Sequence, residues 1–375
     1  MTSTNGNGSL RTIFNHSLIG SYPERELAGI TGVWMYSARV LASSRAGDLV
    51  QLHPSLRDQY EWVQDHYRNV GLETATEVIW DTDLTVARNY PSYRWNPFLF
   101  SDLHHAVTPD ERWKDIVRRM NDKNEFIRLC LERGWVVPPT MCYDRPAQFQ
   151  GTEDIKFPCY LKVGCSASGA GVFYCQDGSS LESHIDALEA DVDFQIQQPV
   201  PNAHFLNVQY DVLDGKAHRT IYTEQVLDGF SHAGNRYPSN YGDGPWDLCD
   251  PVANYMVEQG MKGPFAFDVA INGEGFVLIE CNPRFNGCTY YSRVAEGLQA
   301  KTWVARNLSV KAHCLSELSL EGLEWDRSTS KGIVIISWGT VLQGKVGVLF
   351  AGNSEKECQD LYVEFLRRNG KDKKV

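Results

Sequence analysis

Three oxygen-bearing side chains, Asp268, Glu280 and Asn282, interrupt two otherwise apolar runs, Phe265-Ala-Phe-Asp-Val-Ala-Ile and Phe276-Val-Leu-Ile-Glu-Cys-Asn. Unpaired ionised groups are costly to bury, so this trio needs a cation. Mg²⁺ takes hard oxygen ligands, uses one or two carboxylates and fills its shell with water and phosphate oxygens. The set suits it, and Mn²⁺ is an acceptable replacement. A salt bridge or a loop cap is the plainer alternative for any one of the three. Arg284 follows at once, and a planar guanidinium there suits phosphate or the charge of an acyl phosphate.

A second constellation is Tyr160-Leu-Lys-Val, followed by the loop from Gly164 to Gly171 with Ser166, Ser168 and Gly169. Lys162 inside an apolar strand needs an anion, and a Gly/Ser loop can offer backbone N–H groups to phosphates. The spacing is not GxxxxGK[ST], nor is it GxGxxG opening a helix, so neither a P-loop nor a Rossmann dinucleotide site is expected. Further on, Phe194-Gln-Ile-Gln-Gln-Pro-Val-Pro is a strand stopped by Pro199 and Pro201. It reads as a connector whose Gln197, Gln198 and Val200 could meet an adenine edge, or as a plain edge strand. Between connector and carboxylates lie Arg219, His232 and Arg236, cations and donors suited to a substrate carboxylate. Each arginine alone reads equally as a surface ion pair.

The carboxylates can share a metal only if the elements carrying them have the right parity. The two apolar runs form a β-hairpin. Asn272-Gly273 is the usual two-residue turn signal, but that turn would put Asp268 and Glu280 on opposite faces. A three-residue loop, Gly273-Glu-Gly275, pairs Asn272 with Phe276 and sets Asp268 across from Glu280. The shared site requires this odd loop, or a bulge that restores the parity.

The whole chain is 375 residues, beyond the usual size of one hydrophobic core. Its net charge of −11 argues against a general nucleic-acid binder. No apolar run approaches the ~20 residues of a membrane span. The ten cysteines show no metal-type pairing or disulfide framework and read as buried thiols in a reducing, cytoplasmic setting.

Patterning divides the chain into a disordered tail (1–10), an α/β region (11–107), a second region (108–192), a strand-rich third region (193–309) and an α+β end (310–375). Helices are expected at Trp34 to Ala46, Gln59 to Val70, after an N-cap at Thr108, at Lys123 to Arg133 with Gly134 as its stop, at Leu181 to Asp191, and after the N-cap Ser354. Strands are expected at Cys159 to Val163, Val172 to Cys175, Gly332 to Trp338 and Val346 to Ala351.

Lysine with a glycine loop, then a connector, then Asp…Glu-x-Asn-x-Arg resembles the ATP-grasp superfamily over roughly residues 121–298. The most specific stretch is Ile279-Glu-Cys-Asn-Pro-Arg-Phe-Asn-Gly. The resemblance implies an α/β (α+β) ATP-grasp fold, with Asp268, Glu280 and Asn282 on Mg²⁺ and Lys162 on ATP phosphates. It makes Lys123, in Asp122-Lys-Asn-Glu, a second nucleotide contact, with Gln197 or Gln198 in place of the usual adenine-reading acid. A Gln carbonyl can accept the same hydrogen bond. Arg45-Ala-Gly-Asp-Leu-Val and Gly344-Lys-Val-Gly are similar to amino-acid and peptide ligases with a pre-ATP-grasp domain, of the pheganomycin peptide ligase type. The implied activity is ADP-forming ligation of an amino-acid or peptide carboxylate to an amine, with Arg284 and Lys162 as catalytic cations. Small molecules are the expected partners, and a homodimer is an open arrangement. The alternatives are an ATP-grasp kinase and a non-catalytic nucleotide-binding protein.

Overall fold

The computed structural model describes residues 11–18, 32–81, 83–98, 110–164, 171–229 and 231–371. The chain forms two compact units, one built from residues 1–22, 30–109 and 290–375, the other from 23–29 and 110–289. The tail, Thr108, and the loop residues Ser166, Ser168 and Gly169 lie outside the described residues.

The first unit opens with β1 (Thr12–Asn15), β2 (Leu49–Gln51), β3 (Glu77–Ile79) and β4 (Arg94–Pro97), an all-parallel sheet in the order β3-β2-β1-β4. Ile13, Leu49 and Trp95 form its buried centre. The stretch expected as an α-helix from Trp34 is a 3₁₀ helix, Val33–Ser43. Helix α1 spans Arg57–Asn69. The Arg45-Ala-Gly-Asp motif is a turn: the Asp48 carboxylate accepts from Arg45 N and from Thr12 N, both at 2.8 Å. It thereby ties β2 to β1.

The second unit begins with α2 (Glu111–Asn121), capped by Asp110, whose side chain accepts from Trp113 N. Helix α3 (Lys123–Arg133) is capped by Asp122 and stopped by Gly134 at φ 69°, as the sequence predicts. Strands β5 (Thr140–Tyr143), β6 (Cys159–Val163), β7 (Val172–Cys175) and β8 (Phe194–Gln197) make an antiparallel sheet in the order β5-β8-β6-β7. Helix α4 is Gly178–Asp186, earlier and shorter than its expected span. Asp177 and Ser180 form a capping box that starts it ahead of Leu181. Leu161, Phe194, Ile196, Leu181 and Ile185 fill the core between this sheet and α4.

The same unit continues with β9 (His204–Leu213), β10 (Lys216–Asp228), β11 (Ser231–Tyr237), helix α5 (Gly244–Glu258), β12 (Gly263–Asn272) and β13 (Gly275–Asn282). These strands run β13-β12-β9-β10-β11, antiparallel throughout. Helix α5 packs on β9, β10 and β13, and its Trp246 meets the Tyr210 ring edge-on. Helix α3 packs against β5 and β8 of one sheet and β13 of the other. It is the piece that brings a side chain from its first turn to the end of β13.

Helix α6 (Gly287–Leu298) leads back into the first unit, which closes with β14 (Thr302–Ser309), β15 (Gly332–Ser337), β16 (Lys345–Gly352) and α7 (Glu355–Asn369). There β16 pairs with both β14 and β15, antiparallel. Ser354 caps α7 by accepting from Glu357 N, as expected from sequence. Gly344 ends a 3₁₀ turn at φ 66°, and its carbonyl accepts from Val310 N. So Gly344-Lys-Val-Gly, like the Arg45 motif, is turn chemistry. No helix among the described residues is long and apolar enough to cross a membrane.

Candidate active site

The hairpin β12–β13 decides whether the carboxylates meet. Its turn is shorter than the expected three-residue loop: Asn272 pairs with Gly275, and Asn272 Oδ1 accepts from Glu274 N at 2.9 Å. This two-residue turn would set Asp268 opposite Ile279. Instead Val269 pairs with Leu278 and Asp268 with Glu280, so Ile279 is a one-residue bulge. The parity is restored by the bulge, not by the loop. Ala266 pairs with Asn282 on the same face, so Asp268, Glu280 and Asn282 stand together.

Around Asp268 is a cradle of carboxamides. Asn207 and Gln225 donate to its Oδ1 at 2.8 and 2.6 Å, and Asn282 donates to Oδ2 at 3.3 Å. The Asn286 side chain donates in turn to Asn207, while its Oδ1 accepts from the backbone of Cys288 and Thr289 at the start of α6. Asn286 lies within the specific stretch Ile279 to Gly287, where the resemblance assigns it no role, and neither Asn207 nor Gln225 stands out in the sequence. The only signal of the latter two is a strand position for a polar residue, and the acid that makes it meaningful is distant in the chain.

Cations face the pair from the other sheet and from α3. Lys123, almost fully buried in the first turn of α3, puts its Nζ 3.6 Å from Glu280 Oε2. Its backbone N–H donates to Gly164 O at 2.9 Å, which fixes α3 to the end of β6. Lys162 Nζ donates to Gln197 Oε1 at 2.6 Å. Burial lowers the Lys162 ammonium to about 8, with the Glu280 charge opposing and Lys123 assisting. Burial also drives the Asp268 carboxyl well above its ordinary range, and the neighbouring Glu280 charge pushes the same way. For Glu280 burial is outweighed by Lys123, by a hydrogen bond from Asp268, and by Lys162 and Arg284, and its carboxyl moves down. The pair therefore holds one proton against a ring of cations, a state that a divalent ion can replace.

The donor set fits a metal of that kind. Among the described residues no group of three or more His, Cys, Asp and Glu side chains could hold an ion. Two carboxylates and an amide oxygen are what Mg²⁺ uses when phosphate oxygens complete its shell. Asp268, Glu280 and Asn282 would hold it.

The connector is only partly free for adenine. Gln197 is committed, its carbonyl to Lys162 and its amide to Thr140 Oγ1 at 3.1 Å. Gln198 donates to Lys156 O at 2.8 Å, and its carbonyl accepts from no donor among the described residues. Val200 is half-buried in the turn between β8 and β9. The structure adds Gln195, fully buried directly opposite Lys162, with neither side-chain polar atom hydrogen-bonded.

The candidate substrate residues separate by face. Arg219 lies opposite Tyr210, which lies opposite Phe265, on the face turned away from Asp268. Its Nη2 donates to Asp250 Oδ2 at 2.5 Å, and it sits over the Trp246 ring. Arg236 is opposite Glu224 and donates to it at 2.6 Å, again on the reverse face. His232 is brought to the Asp268 face because Ala233 is looped out between the pairs Leu227–His232 and Val226–Gly234. His232 Nε2 is 2.6 Å from Asn235 Oδ1, and Asn235 donates to Thr223 Oγ1. A Cβ on Gly287 would lie 3.0 Å from the His232 ring, so the start of α6 runs close beneath it.

No protein-family model matches the chain, and no curated protein matches it in sequence. Solved structures do match in three dimensions. An L-amino acid ligase from Bacillus licheniformis superposes with a TM-score of 0.57 at 12% identity, covering 80% of this chain and 88% of that one. Biotin carboxylase from Campylobacter jejuni gives 0.62 at 10% identity, covering 96% and 92%. N5-carboxyaminoimidazole synthetase from Staphylococcus aureus gives 0.62 at 12% identity, covering 94% and 96%. At such identities the likeness speaks for the fold, and the chain has the α/β ATP-grasp fold of these ligases and synthetases.

Proposed function

We propose that this protein is an ATP- and Mg²⁺-dependent ligase that activates a carboxylate and passes it to an amine, releasing ADP and phosphate. The observation that carries this reading is the meeting of Lys123 and Lys162 with the Asp268–Glu280 pair and Asn282. These five groups come from four elements and make one cationic-and-carboxylate site. In the proposed reaction Lys123, Lys162 and Arg284 neutralise the triphosphate. Asp268, Glu280 and Asn282 would hold the metal, which would supply charge neutralisation for phosphoryl transfer. The substrate carboxylate takes the γ-phosphoryl group and an amine then displaces phosphate. This chain contributes position and charge rather than a nucleophile.

Amino acids or short peptides are the proposed substrates, in keeping with the L-amino acid ligase from Bacillus licheniformis among the structural neighbours. The reading as a peptide ligase of the pheganomycin type, the region boundaries at 107, 192 and 309, and a cytoplasmic location belong to the same proposal. The test is ADP release with amino acids and peptides offered singly and in pairs, with product mass determined. Amide formation that needs two substrates supports the ligase. A phosphorylated hydroxyl with no amide would make the protein a kinase. No ADP from any pair, together with tight ATP binding, would make it a non-catalytic binder.

A further inference from the structure

One cation of the first unit pairs with no carboxylate among the described residues. Arg39 lies on the 3₁₀ helix Val33–Ser43, and its guanidinium carbon sits 4.5 Å from the ring centre of Tyr290, 4.9 Å from Phe98 and 5.5 Å from Tyr36. Tyr36 precedes it by three residues, the spacing at which side chains eclipse on a 3₁₀ helix. Its Nε is buried with no hydrogen-bond partner, and no carboxylate among the described residues pairs with it.

The described surroundings supply no compensating charge. His16, fully buried beside this cage, has Nδ1 at 2.8 Å from Tyr290 Oη and Nε2 at 3.2 Å from Asn96 Oδ1. The Asn96 oxygen can only accept, so Nε2 carries the proton and Nδ1 accepts from the tyrosine hydroxyl. The His16 imidazole is lowered to about 3, by burial first, against the Asn96 hydrogen bond and with the charges of Arg39 and Arg293 assisting. His16 is therefore neutral. Ring faces attract a guanidinium by about 0.5–2 kcal/mol each, yet they leave the buried Nε–H unanswered. Burying that donor unsatisfied is costly, and the Nη edge is the part of the fork left for a ligand.

We infer that Arg39 is the receptor for the carboxylate of a small molecule. The guanidinium fork takes a carboxylate through two parallel N–H···O bonds. The buried rings of Phe98 and Tyr290 hold that fork flat, and the half-buried Tyr36 ring gives an apolar or aromatic remainder a surface to lie on. Phosphate shares the charge but not the planar match. The inference does not rest on the ligase reading, since the site is built within one unit and its test needs neither nucleotide nor turnover.

The experiment is calorimetric titration of the full nucleotide-free chain with benzoate, L-phenylalanine, glycine and inorganic phosphate, for wild type, Arg39→Met and Arg39→Lys, with circular dichroism to verify folding. Wild type is expected to bind benzoate and phenylalanine more tightly than phosphate, and Arg39→Met to lose roughly tenfold or more of that affinity. Arg39→Lys keeps the charge and loses the fork, so it should fall between the two. If Arg39→Met fails to fold, the lysine variant decides, with wild-type affinity in it overturning the fork. Absence of carboxylate binding up to about 10 mM, equal binding by Arg39→Met, or a preference for phosphate would each overturn the inference.

Discussion

Asp268 faces Glu280 across the hairpin because Ile279, which the two-residue turn would have placed there, is looped out as a bulge. A second bulge at Ala233 does the same for His232. Both irregularities correct strand parity where a polar side chain must change face, which is where β-bulges are over-represented.

Replacing Asp268 by Asn separates the two consequences of this pairing. The amide oxygen keeps the donors Asn207 and Gln225, and the new amide donates to Glu280 in place of the shared proton. Thermal stability in EDTA is expected to stay close to wild type, because the amide is a neutral isostere of the protonated carboxyl. Metal-dependent ADP formation is expected to fall on the order of a hundredfold or more. A variant that melts normally and turns over normally would remove Asp268 from the metal set.

The depressed Lys162 ammonium makes nucleotide binding proton-linked. Lowered from 10.5 to about 8 in the nucleotide-free fold, it is largely neutral at pH 9, and an arriving triphosphate favours the charged form. Binding at pH 9 should take up roughly one proton, read from calorimetry in two buffers of different ionisation enthalpy. At pH 6.5 uptake should vanish, and in Lys162→Met it should vanish at both values. For folding the sign is opposite to that of a salt bridge. The unfolded chain holds more protons between pH 8 and 10.5, so this residue's contribution to stability rises with pH through that window.

Gly164 has no room for a side chain. A Cβ there would lie 1.7 Å from Asp193 Oδ2, and the Gly164 carbonyl anchors Lys123 N. Gly164→Ala is expected to destabilise by about 1–3 kcal/mol and to weaken ATP binding by displacing α3. Adding Asp193→Ala should restore most of the stability. A double-mutant cycle showing no coupling would mean that Asp193 simply rotates away. Asp193 itself is raised to about 6, by burial first and by Asp122 next.

The two faces of the β9–β11 sheet predict different kinetics for the three substrate candidates. Arg219→Ala breaks a half-exposed pair with Asp250, so it should cost about 1 kcal/mol or less of stability and leave both KM values near wild type. Arg236→Ala should behave alike. His232→Ala, on the Asp268 face, should raise the KM of the carboxylate substrate by roughly tenfold, the equivalent of one lost polar contact. A larger carboxylate KM effect from either arginine than from His232 would reverse this assignment.

By itself the sequence determined the elements and the identity of the chemical groups. Lys123–Arg133 with its Gly134 stop, the strands around Lys162, and the Ser354-capped helix are local matters of periodicity and capping, and they form where the residues say. The Asp, Glu and Asn were legible because charged and amide groups in apolar runs need partners wherever the strands go. Only the tertiary structure decided which face each side chain occupies. That depends on bulges at Ile279 and Ala233, and a bulge is a property of two paired strands rather than of one. It also decided that Asn207, Gln225 and Asn286 serve Asp268, and that Arg219 and Arg236 are spent on Asp250 and Glu224. Such contacts join residues far apart in the chain, and a side chain's nearest neighbour in space is not written in its neighbours in sequence.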